Sequence, residues 1–106
     1  MKTSELTGAA LDWAVAKCEG LRTYVEVVEG FKPSTYWCQG GPIIEREWIE
    51  VVPWPNESDE DMRWIATQHD TPKKVFMNGS TPLIAAMRCY VASKLGDEIE
   101  LPEELK

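Results

Sequence analysis

Residues that bind metals or carry redox chemistry are scarce in this chain. There is one histidine, His69. The three cysteines, Cys18, Cys38 and Cys89, lie far apart and form no Cys-x-x-Cys pair. That inventory does not furnish a tetrahedral zinc site. An odd number of separated thiols suits a reducing compartment. Basic charge is also in deficit, with 11 Lys and Arg against 18 Asp and Glu and a net charge of -7. Nucleic acids are held chiefly by Lys and Arg on phosphate, which argues against DNA or RNA as the main ligand. A small nucleotide needs only a few local donors and is not excluded. No run of about 18 apolar residues occurs, and the opening Met1-Lys2-Thr3-Ser4-Glu5 lacks the apolar core of a signal peptide. The expectation is a soluble cytoplasmic protein with no membrane partner.

What is present suffices for one domain spanning 1–106. A chain of this size removes roughly two thirds of its unfolded surface from water. A first helix is expected over about 7–19. Thr7 or Ser4 can cap it and Gly20 can end it. Leu6, Ala10, Leu11, Ala14, Val15 and Cys18 share its apolar face, with Asp12 and Glu19 opposite. Residues 22–28 read as a strand, from Tyr24, Val25, Val27 and Val28. Residues 48–52 read as a second strand, with Trp48, Glu50 and Val52 on one face and Ile49 and Val51 on the other. Residues 62–68 read as a third, with Trp64 and Ala66 opposite Arg63 and Ile65. Val75, Phe76 and Met77 can add a short edge strand. The tail, 97–106, reads as an extended edge.

The clearest element is a helix over about 82–95, capped by Thr81, begun by Pro82 and ended by Gly96. One stripe holds Leu83, Ile84, Met87, Tyr90, Val91 and Leu95. The opposite stripe is small: Ala85, Ala86, Cys89, Ala92 and Ser93. Small side chains admit close approach, so cover is expected on both sides. The second cover is either another segment or another subunit. Residues 34–47 read as a helix broken at Gly40-Gly41-Pro42, because Pro42 lacks an N–H and clashes with the preceding turn, or else as irregular chain to Gly41 with a two-turn helix begun by Pro42; the broken helix is the expectation. Together these elements predict an α+β fold, with three helices on a small, mostly antiparallel sheet.

Trp outnumbers Tyr and Phe, at five against three and two. Trp13 and Trp64 lie in periodic elements and read as core. Trp37 and Trp54 stand beside chain breaks, where loops carry function. A helix restart at Gly40 and Gly41 exposes amides that attract anions. Arg46 and Arg88 are the cations suited to serve such an anion, and Gln39 stands beside the glycines. For Arg88 the plain alternative is a salt bridge to Asp12 or Glu45. Glu45 and Glu47, two apart on a helix, do not face each other and make a poor acid–base pair. The run Glu57-Ser58-Asp59-Glu60-Asp61 lacks the glycine and distal glutamate of a calcium loop. Ser80, Cys89 and His69 have no nucleophile-elbow or thiol-protease context. No catalytic residue, metal site or cofactor is expected.

Three stretches resemble the NinX-type family of small bacteriophage proteins. The first runs from Ser4-Glu5-Leu6-Thr7-Gly8 through Asp12-Trp13-Ala14-Val15-Ala16. The others are 33–47 and 79–104. The specific motifs are Gly40-Gly41-Pro42-Ile43-Ile44-Glu45-Arg46-Glu47 and Thr81-Pro82-Leu83-Ile84-Ala85-Ala86-Met87-Arg88. The chain departs from the family at Tyr36, where Asp is common, and at Cys38, where Ala is common. Residues 48–78 match poorly. The resemblance implies a phage origin, an accessory role in infection, and an α/β/α sandwich-like arrangement. It implies no reaction.

The expectation for function is therefore a non-enzymatic protein that binds and sequesters a small nucleotide-type ligand, as a counter-defence measure. Trp37 would stack on the base. The amides of Gly40 and Gly41, with Arg46 or Arg88, would hold phosphate, and Gln39 and Trp54 would complete the site. A homo-oligomer suits the small back stripe of the last helix. The alternative is an interaction protein that docks a host or phage protein through exposed Trp and acidic surface.

Overall fold

The computed structural model describes residues 1–20, 30–69 and 74–105. Helix α1 covers Gly8–Cys18. Thr7 holds the position before its first turn, but its hydroxyl makes no capping bond. Gly20, with φ of 80°, turns the chain away. Leu11, Ala14 and Val15 are buried as the spacing requires, and Ala16, outside that stripe, is buried as well. Asp12 is buried too, against the expectation that it faces water. Its Oδ1 accepts a hydrogen bond from the Ser34 amide at 2.9 Å, which pins the loop before the next helix onto α1. The strand expected over 22–28 lies outside the described residues.

Helix α2 covers Trp37–Arg46 and runs unbroken through Gly40-Gly41-Pro42, so the expected break does not occur. Pro42 leaves only the Cys38 carbonyl without its helical donor. Cys38 and Pro42 are both exposed, so water can serve that oxygen. The glycine at position 40 meets a packing need. A Cβ there would lie 2.4 Å from the Pro33 oxygen and 2.6 Å from Leu83 Cδ2. Trp48 then takes a left-handed conformation, φ 57°, where a glycine is usual. The chain turns directly from helix into sheet.

Strands β1 (Ile49–Pro53), β2 (Trp64–Gln68) and β3 (Val75–Gly79) form an antiparallel sheet in that order. Val51 stands opposite Ala66, and Ala66 opposite Met77. The second strand starts at Trp64 because Glu60–Met62 is a single 3-10 turn. The edge strand expected around Val75 extends to Gly79.

Helix α3, Pro82–Leu95, lies across the sheet. Thr81 Oγ1 accepts from the Ile84 amide at 3.1 Å, and Gly96 at φ 90° ends the helix. Every residue from Ala85 to Ala92 is buried. The large stripe and the small stripe are both covered, by the sheet, by α1 and α2, and by the Thr3–Glu5 turn. Gly79 sits so close that a Cβ would fall 2.5 Å from the Ala85 nitrogen. The tail does not join the sheet. It pairs with the first residues, Thr3 N donating to Asp97 O at 2.8 Å and Ile99 N to Met1 O at 3.0 Å. The fold is α+β, three helices with a three-stranded antiparallel sheet among the described residues.

Candidate functional site

The residues expected to form a phosphate cradle are dispersed. Because α2 starts at Trp37, Gly40 and Gly41 lie within the helix and not at its mouth. The Gly40 amide donates to Tyr36 O at 2.9 Å. Gln39 is tied locally: Nε2 donates to Gly30 O at 2.8 Å, and Oε1 accepts from the Lys32 amide. Arg88 is 2% exposed. Its Nε donates to Leu6 O at 2.8 Å. Its Nη1 donates to Asn78 O at 2.9 Å and lies 3.3 Å from both carboxylate oxygens of Asp61. The partner is Asp61 and not Asp12 or Glu45. This cation holds the Leu6 turn, the end of β3 and the acidic turn together through α3.

Arg46 is committed as well. Its guanidinium forks onto Glu19 at 3.1 and 2.6 Å, meets Glu47 at 3.0 Å, and lies over the Tyr90 ring at 5.8 Å. Tyr90 donates its hydroxyl to the same Glu19. Burial alone would raise the Glu19 pKa, but the hydrogen bonds from Arg46 and Tyr90 outweigh it and leave the carboxyl below its ordinary value. The Tyr90 hydroxyl is pushed up by burial and by its bond to Glu19. This network joins the C-terminal ends of α1, α2 and α3.

Trp37 remains free of such duties. It is 57% exposed and borders a shallow groove of about 330 Å³, with Ser34, Thr35, Pro82, Leu83 and Ile84. No other residue of the expected site lines this groove. Trp54 lies elsewhere, one residue past β1, where its amide continues the ladder by donating to Arg63 O at 2.6 Å.

The position of Trp54 leads to a feature that sequence reasoning did not assemble. Along β1 the residues alternate, with Ile49 and Val51 toward α3 and Glu50 and Val52 away from it. The register places Thr67 and Phe76 beside Glu50, and Ile65 and Asn78 beside Val52. Trp54 continues the outward parity, opposite Arg63. Phe76 is 65% exposed, Trp54 52%, and Trp48, at the entrance to β1, 76%. Val52 and nearby Met62 are exposed as well. Among the described residues no helix covers this outer face. The signal was present in the strand patterns, where Val52 and Ile65 stand opposite Val51 and Ala66: apolar residues occur on both faces.

The face has an acidic margin. The connection from β1 to β2 carries Glu57, Asp59, Glu60 and Asp61, and Glu50 lies on the face itself, 3.2 Å from His69. Among the described residues the cations beside it are Arg63, whose Nε donates to Glu57 O at 3.1 Å, and Lys74 before β3. Burial pushes the Cys18 thiol up to about 11 and the Cys89 thiol up to about 12, so both stay protonated at neutral pH. Among the described residues no group of three His, Cys, Asp or Glu could hold a metal ion, and no helix is long and apolar enough to cross a membrane.

Residues 2–94 match a protein-family model described as Bacteriophage P22, NinX. No curated protein matches the chain.

Proposed function

The chain belongs to the NinX family of bacteriophage proteins, and from that premise we propose that it is a non-enzymatic accessory protein of the infected cell's cytoplasm that docks a protein partner on the outer face of its sheet. One observation carries this reading: the outward positions of the sheet hold Val52, Trp54, Ile65 and Phe76, with Trp48 beside them, interspersed with Glu50, Thr67 and Asn78 where polar residues alone would be expected. An antiparallel sheet open to water on one side normally alternates apolar-in with polar-out. Contiguous exposed apolar surface with aromatic anchors favours a contact site. A photo-crosslinking amino acid installed at Phe76 should give a discrete protein adduct during infection, and one installed at Thr35 should not. Absence of an adduct at position 76 would reject the reading.

The phosphate half of nucleotide sequestration by a homo-oligomer has less support, since the amide of Gly40 is bonded and both arginines are paired. The exposed indole of Trp37 beside its groove favours a narrower second reading, a small planar ligand stacked there. A thermal-shift panel of linear and cyclic nucleotides and neutral heteroaromatics tests it. A ligand at about a hundred times its dissociation constant stabilises by about 2.7 kcal/mol, and Trp37→Ala should remove the shift.

A further inference from the structure

Resting on that docking reading, we propose that the occupant of the outer sheet face is a basic amphipathic helix of a partner protein. The first argument is architectural. A sheet with apolar side chains on both faces is stable when both are covered. Here α3 supplies one cover, over Ile49, Ala66, Val75, Met77 and Gly79. Its counterpart on the other side is absent among the described residues.

The second argument is size. Three strands about 4.8 Å apart and five residues long at about 3.4 Å each present a face roughly 14 by 17 Å. An α-helix is about 10–12 Å across and rises about 16 Å in three turns. One helix fills the face.

The third argument is charge. The chain carries -7, so two copies repel. Among the described residues, Glu50 on the face and Glu57, Asp59 and Glu60 at its margin are opposed by Arg63, Lys74 and His69. An approaching helix therefore gains from Lys or Arg flanking its apolar stripe, first in association rate and then in register. Phe76, Val52 and Trp54 are the anchors for the stripe, and the acidic margin is the rim.

The test uses the whole protein and three synthetic 18-residue probes: a Leu/Lys amphipathic helix, a Leu/Glu helix with the same apolar stripe, and a Leu/Lys scramble without a stripe. Binding is measured by calorimetry, and its location by amide shifts in the NMR spectrum. The Leu/Lys helix should bind at least about tenfold tighter than either control and shift Val52, Ile65 and Phe76. Phe76→Glu should weaken it by about tenfold or more, and the surface pair Glu50→Lys with Glu60→Lys by about tenfold. The charge pair keeps the test valid should Phe76→Glu unfold. Equal binding of the Leu/Lys and Leu/Glu helices would overturn the basic partner while leaving a docking face. Shifts confined to other surfaces, or no binding by any probe, would overturn the helix. A concentration-dependent dimer in sedimentation, abolished by the charge pair, would replace the helix with a second copy.

Discussion

The two faces of one small sheet have opposite fates although they are made of the same three strands. Residues facing α3 pack to contact. Ala66 is fully buried and Gly79 has no room for a methyl group. Residues one position along, Val52 beside Val51 and Phe76 beside Met77, stand in water. Neighbours of similar polarity differ only in parity. Burial here is therefore decided by which side α3 occupies, and the apolar residues on the bare side are an unfilled demand for cover.

The sharpest way to break this contrast is to cut equally into both sides. Met87→Ala, in the fully buried core, should cost about 2–5 kcal/mol in urea unfolding. Next comes Arg88→Met. It leaves the buried Leu6 carbonyl and the part-buried Asn78 carbonyl without their donor, at about 1–3 kcal/mol for a fully buried group. Gly40→Ala forces α2 off Pro33 and Leu83 and should cost about 1–3 kcal/mol by overpacking.

A smaller effect tests the buried carboxylate on the sealed side. Burial raises the Asp12 pKa above its ordinary value of 3.8, opposed by the hydrogen bonds from Ser34. A raised acid pKa means the charged form is disfavoured in the fold, so its stability penalty is absent in acid and grows as pH rises through the folded pKa. Asp12→Asn keeps an acceptor for the Ser34 amide and should be as stable as the parent or more so at pH about 7, with the gain vanishing by about pH 3. A loss of stability at neutral pH would show that the charge itself holds the loop. Glu19, whose pKa is lowered, contributes in the opposite sense: its stabilisation is present above the ordinary glutamate range and is lost on acidification.

Smallest of all, Phe76→Ser should change stability by no more than about 0.5 kcal/mol. A cost approaching that of Met87→Ala would mean the outer face is covered in solution, and the contrast between the faces would fall.

Much of the fold was legible. Helix α3 announced itself through Thr81, Pro82 and Gly96, because caps act through bonds within a few residues of the chain. The alternation in β1 and β2 was legible for the same local reason. The unbroken α2 was not. A glycine–glycine–proline run reads locally as a break, and only the close approach of Pro33 and Leu83 explains why glycine is needed inside a helix. Asp12 also misled. Its place opposite the apolar stripe suggested solvent, but the amide it serves belongs to Ser34, 22 residues away. The candidate site fared likewise. Trp37 was singled out for a break at the glycines that does not occur; it is exposed in the first turn of α2, and the arginines assigned to it are claimed by distant acids, Arg46 by Glu19 and Arg88 by Asp61.

By itself the amino-acid order determined the element types, the ends of the last helix, and the presence of apolar residues on both sides of the strands. These depend on backbone preference and on periodicities of two and 3.6, which operate over a few neighbours. The tertiary arrangement alone decided which strand face α3 would seal, which cations would be spent on internal carbonyls and carboxylates, and which aromatics would remain in water. Those outcomes depend on contacts between residues far apart in the chain, and no local pattern encodes the partner that folding brings to each side chain.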